Sequence, residues 1–158
     1  MQFFTIGVYN SSEEEFFNKL TDNNIDTFCD IRQRRGVRGA KYAYVNSIRL
    51  QARLDELDIK YGHEIALAPT TNIRNMQKEA DARLGELKRD RNKLGEVFTN
   101  KYRNDVLNEF NFPKFLERLD EIAARKIALF CVEAKPEACH RSIVGDKLGQ
   151  LGYEVTNL

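Results

Sequence analysis

No stretch of this chain approaches the roughly 18 consecutive apolar residues that a membrane-spanning helix needs, so no transmembrane segment is expected. A surplus of one charge is missing too. Its 25 lysines and arginines against 24 acids leave a formal charge of +1, which excludes a globally basic nucleic-acid binder and requires that any anion be attracted by a local patch. Cysteine is scarce and odd in number, so Cys29, Cys131 and Cys139 cannot all pair. Met1 to Gly7 lacks the basic and long apolar regions of a secretory leader, and a reducing, cytoplasmic setting with free thiols is expected. No internal repeat or low-complexity linker divides the 158 residues, which are 42% hydrophobic. They suffice for one domain, residues 1–158, that buries a core without disulfide or metal staples.

What is present alternates apolar runs with helical spacing. Phe3 to Val8, Thr27 to Ile31, Ile59 to Ile65, Ile127 to Val132 and Tyr153 to Leu158 read as strands. Ser11 or Ser12, followed by Glu14 and Glu15, opens a helix that turns Phe16, Phe17 and Leu20 inward. Asn46 or Ser47 starts a second helix through Leu57, Val106 and Leu107 suggest a short one within Phe98 to Phe110, and Pro113 opens another to Arg125. Ser142 to Leu151 carries Ile143, Val144, Leu148 and Leu151 at helical spacing. Ile73, Met76, Ala80, Leu84, Leu87 and Leu94 form a thin stripe on a highly charged helix over 73–94, which predicts a peripheral helix packing on the body or on a second copy in a homodimer. The expected fold class is α/β: a mainly parallel sheet of about five strands with helices on both faces, plus that peripheral charged helix.

The densest chemistry lies between Phe130 and Ser142, at a strand end and a helix start, where ligands bind in open α/β folds. Period two puts Cys131 and Glu133 on one side. Cys139, His140 and Arg141 follow at the helix start, where peptide dipoles and cations favour a thiolate. Cys139 is therefore a candidate nucleophile, part of an anion cradle, or a small buried residue beside a capping histidine and a pairing arginine. The C-x7-C-H spacing of Cys131, Cys139 and His140 matches no common zinc template, so no metal and no cofactor are expected. Arg141 also stands at the wrong spacing for the single phosphate loop of protein phosphatases and rhodaneses.

Asp30 and Arg32 end the second strand two residues apart, where they reach Arg141 or a bound anion, or simply pair and order the loop. The loop that follows carries Arg34, Arg35, Arg38 and Lys41 without an acid, a patch suited to phosphate or nucleic acid, or else a solvated face. Tyr42 and Tyr44 read as loop anchors, and His63 as a hydrogen-bonded strand residue.

Thr5-Ile6-Gly7, Asp30-Ile31-Arg32, Cys131-Val132-Glu133-Ala134 and Cys139-His140-Arg141-Ser142 together resemble the DUF488 family, in the same order over nearly the whole chain. The resemblance implies an α/β domain with these motifs gathered at one sheet edge, and it supplies no activity. Many members carry a polar residue, often His, after Thr-Ile-Gly, where this chain has Val8-Tyr9.

The leading expectation is an enzyme-like domain that binds a phosphate-bearing small molecule or nucleic-acid end. Arg32 and Arg141 would clamp the anion, helped by Arg35, Arg38 and Lys41. Cys139 would be the nucleophile, with Glu133, Asp30 or His140 moving protons. The alternatives are a non-catalytic nucleic-acid-binding module using the Arg32 to Lys41 loop, and a dimeric interaction protein.

Overall fold

In the computed structural model, which describes residues 1–85 and 91–158, five strands are assigned. They are β1 (Gln2–Ile6), β2 (Thr27–Asp30), β3 (Lys60–His63), β4 (Lys126–Phe130) and β5 (Val155–Asn157). All pair in parallel, in the order β3-β2-β4-β1-β5. The three inner strands are buried almost end to end, which is why they read as apolar runs: a parallel sheet has both faces covered by its crossovers.

Alternation along the strands divides the core in two. One cluster joins Phe4, Ile6, Phe28, Ala128 and Phe130 to helices α1 (Glu13–Asp22) and α2 (Ser47–Glu56) through Phe16, Leu20, Leu50 and Leu54. The opposite cluster joins Phe3, Cys29, Ile127 and Leu129 to α3 (Thr71–Leu84), α4 (Glu96–Tyr102), α5 (Phe112–Glu121) and α6 (His140–Gln150).

The start of α1 is the one expected. Ser12 Oγ accepts from the Glu15 backbone N–H at 3.1 Å, and Glu15 accepts from the Ser12 N–H at 2.7 Å. This capping box satisfies two donors that the helix itself leaves open. Ser12→Ala is expected to cost about 1 kcal/mol, read from the urea midpoint.

The charged helix differs from expectation. It ends at Leu84 because Gly85 takes φ +66, a left-handed conformation that glycine adopts without a Cβ clash. Leu87 lies outside the described residues. Leu94, expected on the same stripe, instead packs into the core. The inward residues of α3 are Ile73, Gln77 and Asp81, so of the expected stripe on this helix only Ile73 is fully buried, Met76 and Ala80 are half-buried and Leu84 is exposed. After α4 a single wider turn, Arg103–Leu107, carries the Asn108 N–H to the Arg103 carbonyl at 3.0 Å, one residue further back than an α-helix reaches.

Most strands are shorter than their apolar runs, and this positions the site. Gly7, Ile31, Arg32 and Cys131 lie just beyond the carboxyl ends. α6 starts two residues earlier than expected, which puts His140 and Arg141 in its first turn with Cys139 at the capping position.

Candidate functional site

Strand register decides what meets. Ile6 and Asp30 both lie opposite Phe130, on either side of β4, so the residues after each leave the sheet next to one another. The Val8 and Tyr9 N–H groups both donate to the Val132 carbonyl, at 3.2 and 3.0 Å, and tie the exit of β1 to that of β4. Gly7 is pressed against this junction. A Cβ there would stand 2.0 Å from the Glu133 carbonyl oxygen and 3.0 Å from Arg141 Nη2.

Asp30 and Arg32 pair with each other. Arg32 donates Nε to Asp30 Oδ1 at 2.8 Å and Nη2 to Oδ2 at 2.7 Å, in a bidentate, fully enclosed geometry. The Tyr61 hydroxyl adds a bond to Oδ2 at 3.0 Å, and Arg32 Nη2 also donates to the Val45 carbonyl at 3.0 Å. The guanidinium lies 4.5 Å from the centre of the Phe130 ring. Such a charge is held by the planar match of guanidinium to carboxylate, which neither partner could replace with water at this depth.

Arg141 is turned inward as well. It donates Nη1 to the Glu133 carbonyl at 2.5 Å and Nη2 to the Ala134 carbonyl at 2.9 Å, and the residue is 2% exposed. The two arginines expected to clamp an anion therefore brace the backbone around the site. The physical reason is local: Arg32 finds its carboxylate two residues back, and Arg141 finds carbonyls seven and eight residues back. One nitrogen on each, Arg32 Nη1 and Arg141 Nε, stays buried without a hydrogen bond.

Cys131, Cys139, His140 and Glu133 converge as expected. His140 Nδ1 is 3.8 Å from the sulfur of Cys131 and 3.8 Å from that of Cys139, while Nε2 meets the Ile31 carbonyl at 3.1 Å. The Cys131 thiol donates to Glu133 Oε2 at 3.2 Å. A hydrogen bond with Cys139, reinforced by burial, raises the Cys131 thiol well above its ordinary value, so it stays protonated. Burial works against charge on His140, but the neighbouring Cys131 and Glu133, with the Ile31 carbonyl, raise its pKa. The thiols are not at the surface: Cys139, the expected nucleophile, is 1% exposed.

Several members of the site carry no sequence signal. Arg91, one of many charges in its region, donates Nη1 to Asp81 at 2.9 Å and Nη2 to the Ala138 carbonyl at 2.9 Å, and lies 3.4 Å from Glu133 Oε1. Asp81 in turn accepts from Gln77 at 2.6 Å. The Tyr102 hydroxyl donates to the Leu67 carbonyl, and its ring stands edge-on to His140. Only the even spacing of Ile73, Gln77 and Asp81 on α3 could have signalled an inward polar stripe.

The basic loop is exposed at Arg34, Arg35, Arg38 and Lys41. Burial raises the pKa of the Tyr61 hydroxyl while Arg35 works to lower it, and Lys41 sits over the Tyr42 ring at 5.2 Å. Tyr42 and Tyr44 anchor the loop as expected. The Tyr42 hydroxyl accepts from the Asn10 N–H at 3.0 Å, and Tyr44 donates to the Ser11 carbonyl at 3.1 Å. Beside the loop, Asn10 to Glu13, Ala40, Lys41, Tyr44 and Arg49 line an open cleft of about 600 Å³. His63 is a hydrogen-bonded strand residue, its Nε2 at 2.9 Å from the Arg32 carbonyl. No helix among the described residues is long and apolar enough to cross a membrane.

No curated protein and no solved structure matches this chain. One family model does, over residues 12–148, a span that holds β2, β4, the basic loop and the whole Cys131 to Arg141 segment. With that match covering most of its length, the chain belongs to the family described as "Domain of unknown function DUF488".

Proposed function

We propose that this chain binds a phosphate-bearing ligand, a small molecule or a nucleic-acid end, at the carboxyl edge of its sheet. Arg35, Arg38 and Lys41 hold the anion, and the buried cluster of Cys131, Cys139, His140 and Glu133 is the chemically active end. Arg32, Asp30 and Arg141 position that cluster from within. The observation that carries this reading is a continuous chain of interactions from surface to interior. Arg35 acts electrostatically on Tyr61, Tyr61 bonds Asp30, Asp30 holds Arg32, and the Ile31 carbonyl between them fixes the His140 ring. The adjoining cleft has the volume of a small-ligand site and carries Lys41 and Arg49 on its wall, with Glu13 3.9 Å from Arg49. With a net charge of only +1, the attraction for an anion is concentrated at this loop.

The test is fluorescence anisotropy with a short 5′-phosphorylated single strand, competed by its dephosphorylated form and by pyrophosphate. Arg35→Ala with Arg38→Ala is expected to weaken binding about 10-fold or more at low salt. Losing two contacts should also flatten the slope of log K against log salt by roughly 1.4, at about 0.7 per phosphate contact on a single strand. Unchanged affinity and slope would remove the loop from the function.

A second reading is a nucleic-acid grip without chemistry, favoured by the exposure of the loop cations and the burial of both thiols. Under it, pyrophosphate does not compete and Cys139→Ser binds like the parent.

A further inference from the structure

The geometry points to a transition-metal site of the zinc class, built from Cys131 Sγ, Cys139 Sγ and His140 Nδ1 and closed by Glu133. The inference deepens the proposed function, since it rests on reading this edge as the chemically active one.

The three donor atoms come within 4.8 Å of one another, and all three residues are buried. The distances decide between a chance gathering and a coordination shell. A tetrahedral zinc with metal–sulfur bonds of about 2.3 Å and metal–nitrogen bonds of about 2.0 Å holds sulfur and nitrogen about 3.6 Å apart and two sulfurs about 3.8 Å apart. Here each sulfur is 3.8 Å from Nδ1, within a few tenths of an ångström of that geometry, while the two sulfurs, within 4.8 Å of one another, need to close by up to about 1 Å around an ion.

The ring orientation agrees. A carbonyl oxygen can only accept, so the Ile31 carbonyl at 3.1 Å fixes the proton on Nε2 and turns Nδ1 toward the two sulfurs. Metal-bound histidines are oriented in the same way, by an acceptor on the far nitrogen. Glu133 offers a further donor on the Cys131 side, its Oε2 at 3.2 Å from Cys131 Sγ though outside the group of three that lie within 4.8 Å of one another, and Arg91 holds its other oxygen at 3.4 Å. Two thiols, an imidazole and a carboxylate make a donor set of mixed softness suited to zinc or cobalt rather than to magnesium or calcium.

Linear spacing argues against a zinc site because common templates bring their cysteines together in a short knuckle. In this chain a single tight turn, Pro136–Ala138, brings residue 139 back beside residue 131. Tertiary structure supplies what the spacing does not show.

The experiment is a titration of the reduced, full-length protein with cobalt(II), followed in the near ultraviolet and the visible. One equivalent is expected to give a thiolate-to-cobalt charge-transfer band and intense tetrahedral d–d bands, both bleached by stoichiometric zinc. Cys131→Ser and Cys139→Ser should each weaken binding by more than the roughly 10–100-fold that losing an outer-shell partner costs. Glu133→Gln should shift the d–d bands. Cys29→Ser, whose sulfur is outside the cluster, should titrate like the parent. Circular dichroism of each apo variant establishes that it is folded before its titration is read.

A folded parent that gives no charge-transfer band at 10-fold excess cobalt overturns the inference. So does a band that survives in both Cys131→Ser and Cys139→Ser. Phosphate ligands are absent from this titration, so its failure is distinct from failure of the anisotropy test.

Discussion

Gly7→Ala is expected to destabilise the protein by about 3 kcal/mol or more, at the upper end of what overpacking costs. The added methyl carbon has nowhere to go. Its ideal position lies 2.0 Å from the Glu133 main-chain oxygen, and the next nearest atom, Arg141 Nη2 at 3.0 Å, is itself pinned to two carbonyls. Backbone must therefore move, either at the exit of β1 or along residues 131–134. With an m-value near 2 kcal/mol per molar urea, the midpoint should fall by about 1.5 M. Gly62→Ala is the control, because its Cβ meets nothing within 4 Å, and it should stay within about 0.5 kcal/mol of the parent. Equal midpoints for the two variants would show that the β1 and β4 exits are not in contact.

The second large effect belongs to Asp30. Asp30→Asn preserves shape and removes the charge facing Arg32, a residue only 3% exposed. Removing one partner of a buried pair leaves an uncompensated ion in a poorly solvated place, at a cost of about 3–5 kcal/mol. Adding Arg32→Met to the same chain should recover most of that loss, since a nonpolar side chain of similar length needs no counter-charge and can rest on the Phe130 ring. Urea midpoints of the two single variants and the double variant check this. If Asp30→Asn costs under 1 kcal/mol, the pair is solvated and does not brace the site.

These two cases also mark how far the sequence was legible. The strands of the inner sheet could be read because residues such as Phe3, Phe4, Phe28 and Leu129 are buried, and a parallel strand covered on both sides needs no polar alternation. The gathering of Cys131, Glu133, Cys139 and His140 could be read from their place at a strand end and a helix start. The partners of the arginines could not. Periodicity gives the face on which a side chain lies but not its neighbour, so Arg32 and Arg141 looked like an anion clamp although each has an acceptor of its own. The 73–94 helix misled for a different reason. Its stripe was too thin to distinguish one helix from a helix, a turn and a buried Leu94, and the break turned on the backbone freedom of Gly85. Arg91 and Asp81, which hold Glu133 in place, were invisible as two charges among many.

The strand order has a consequence in time. β1 and β2 share no ladder; each is hydrogen-bonded to β4, which occupies the slot between them. A chain emerging from the ribosome has made both flanking strands long before residues 126–130 exist, and until that wedge arrives the sheet has no middle. Closure is thus a late, long-range event, slow by its topology, during which two greasy edges wait unpaired. The same insertion that joins the two halves of the sheet carries in the segment bearing Cys131 and Cys139, so that cluster and the middle of the sheet come into being together, before β5 adds to the far edge.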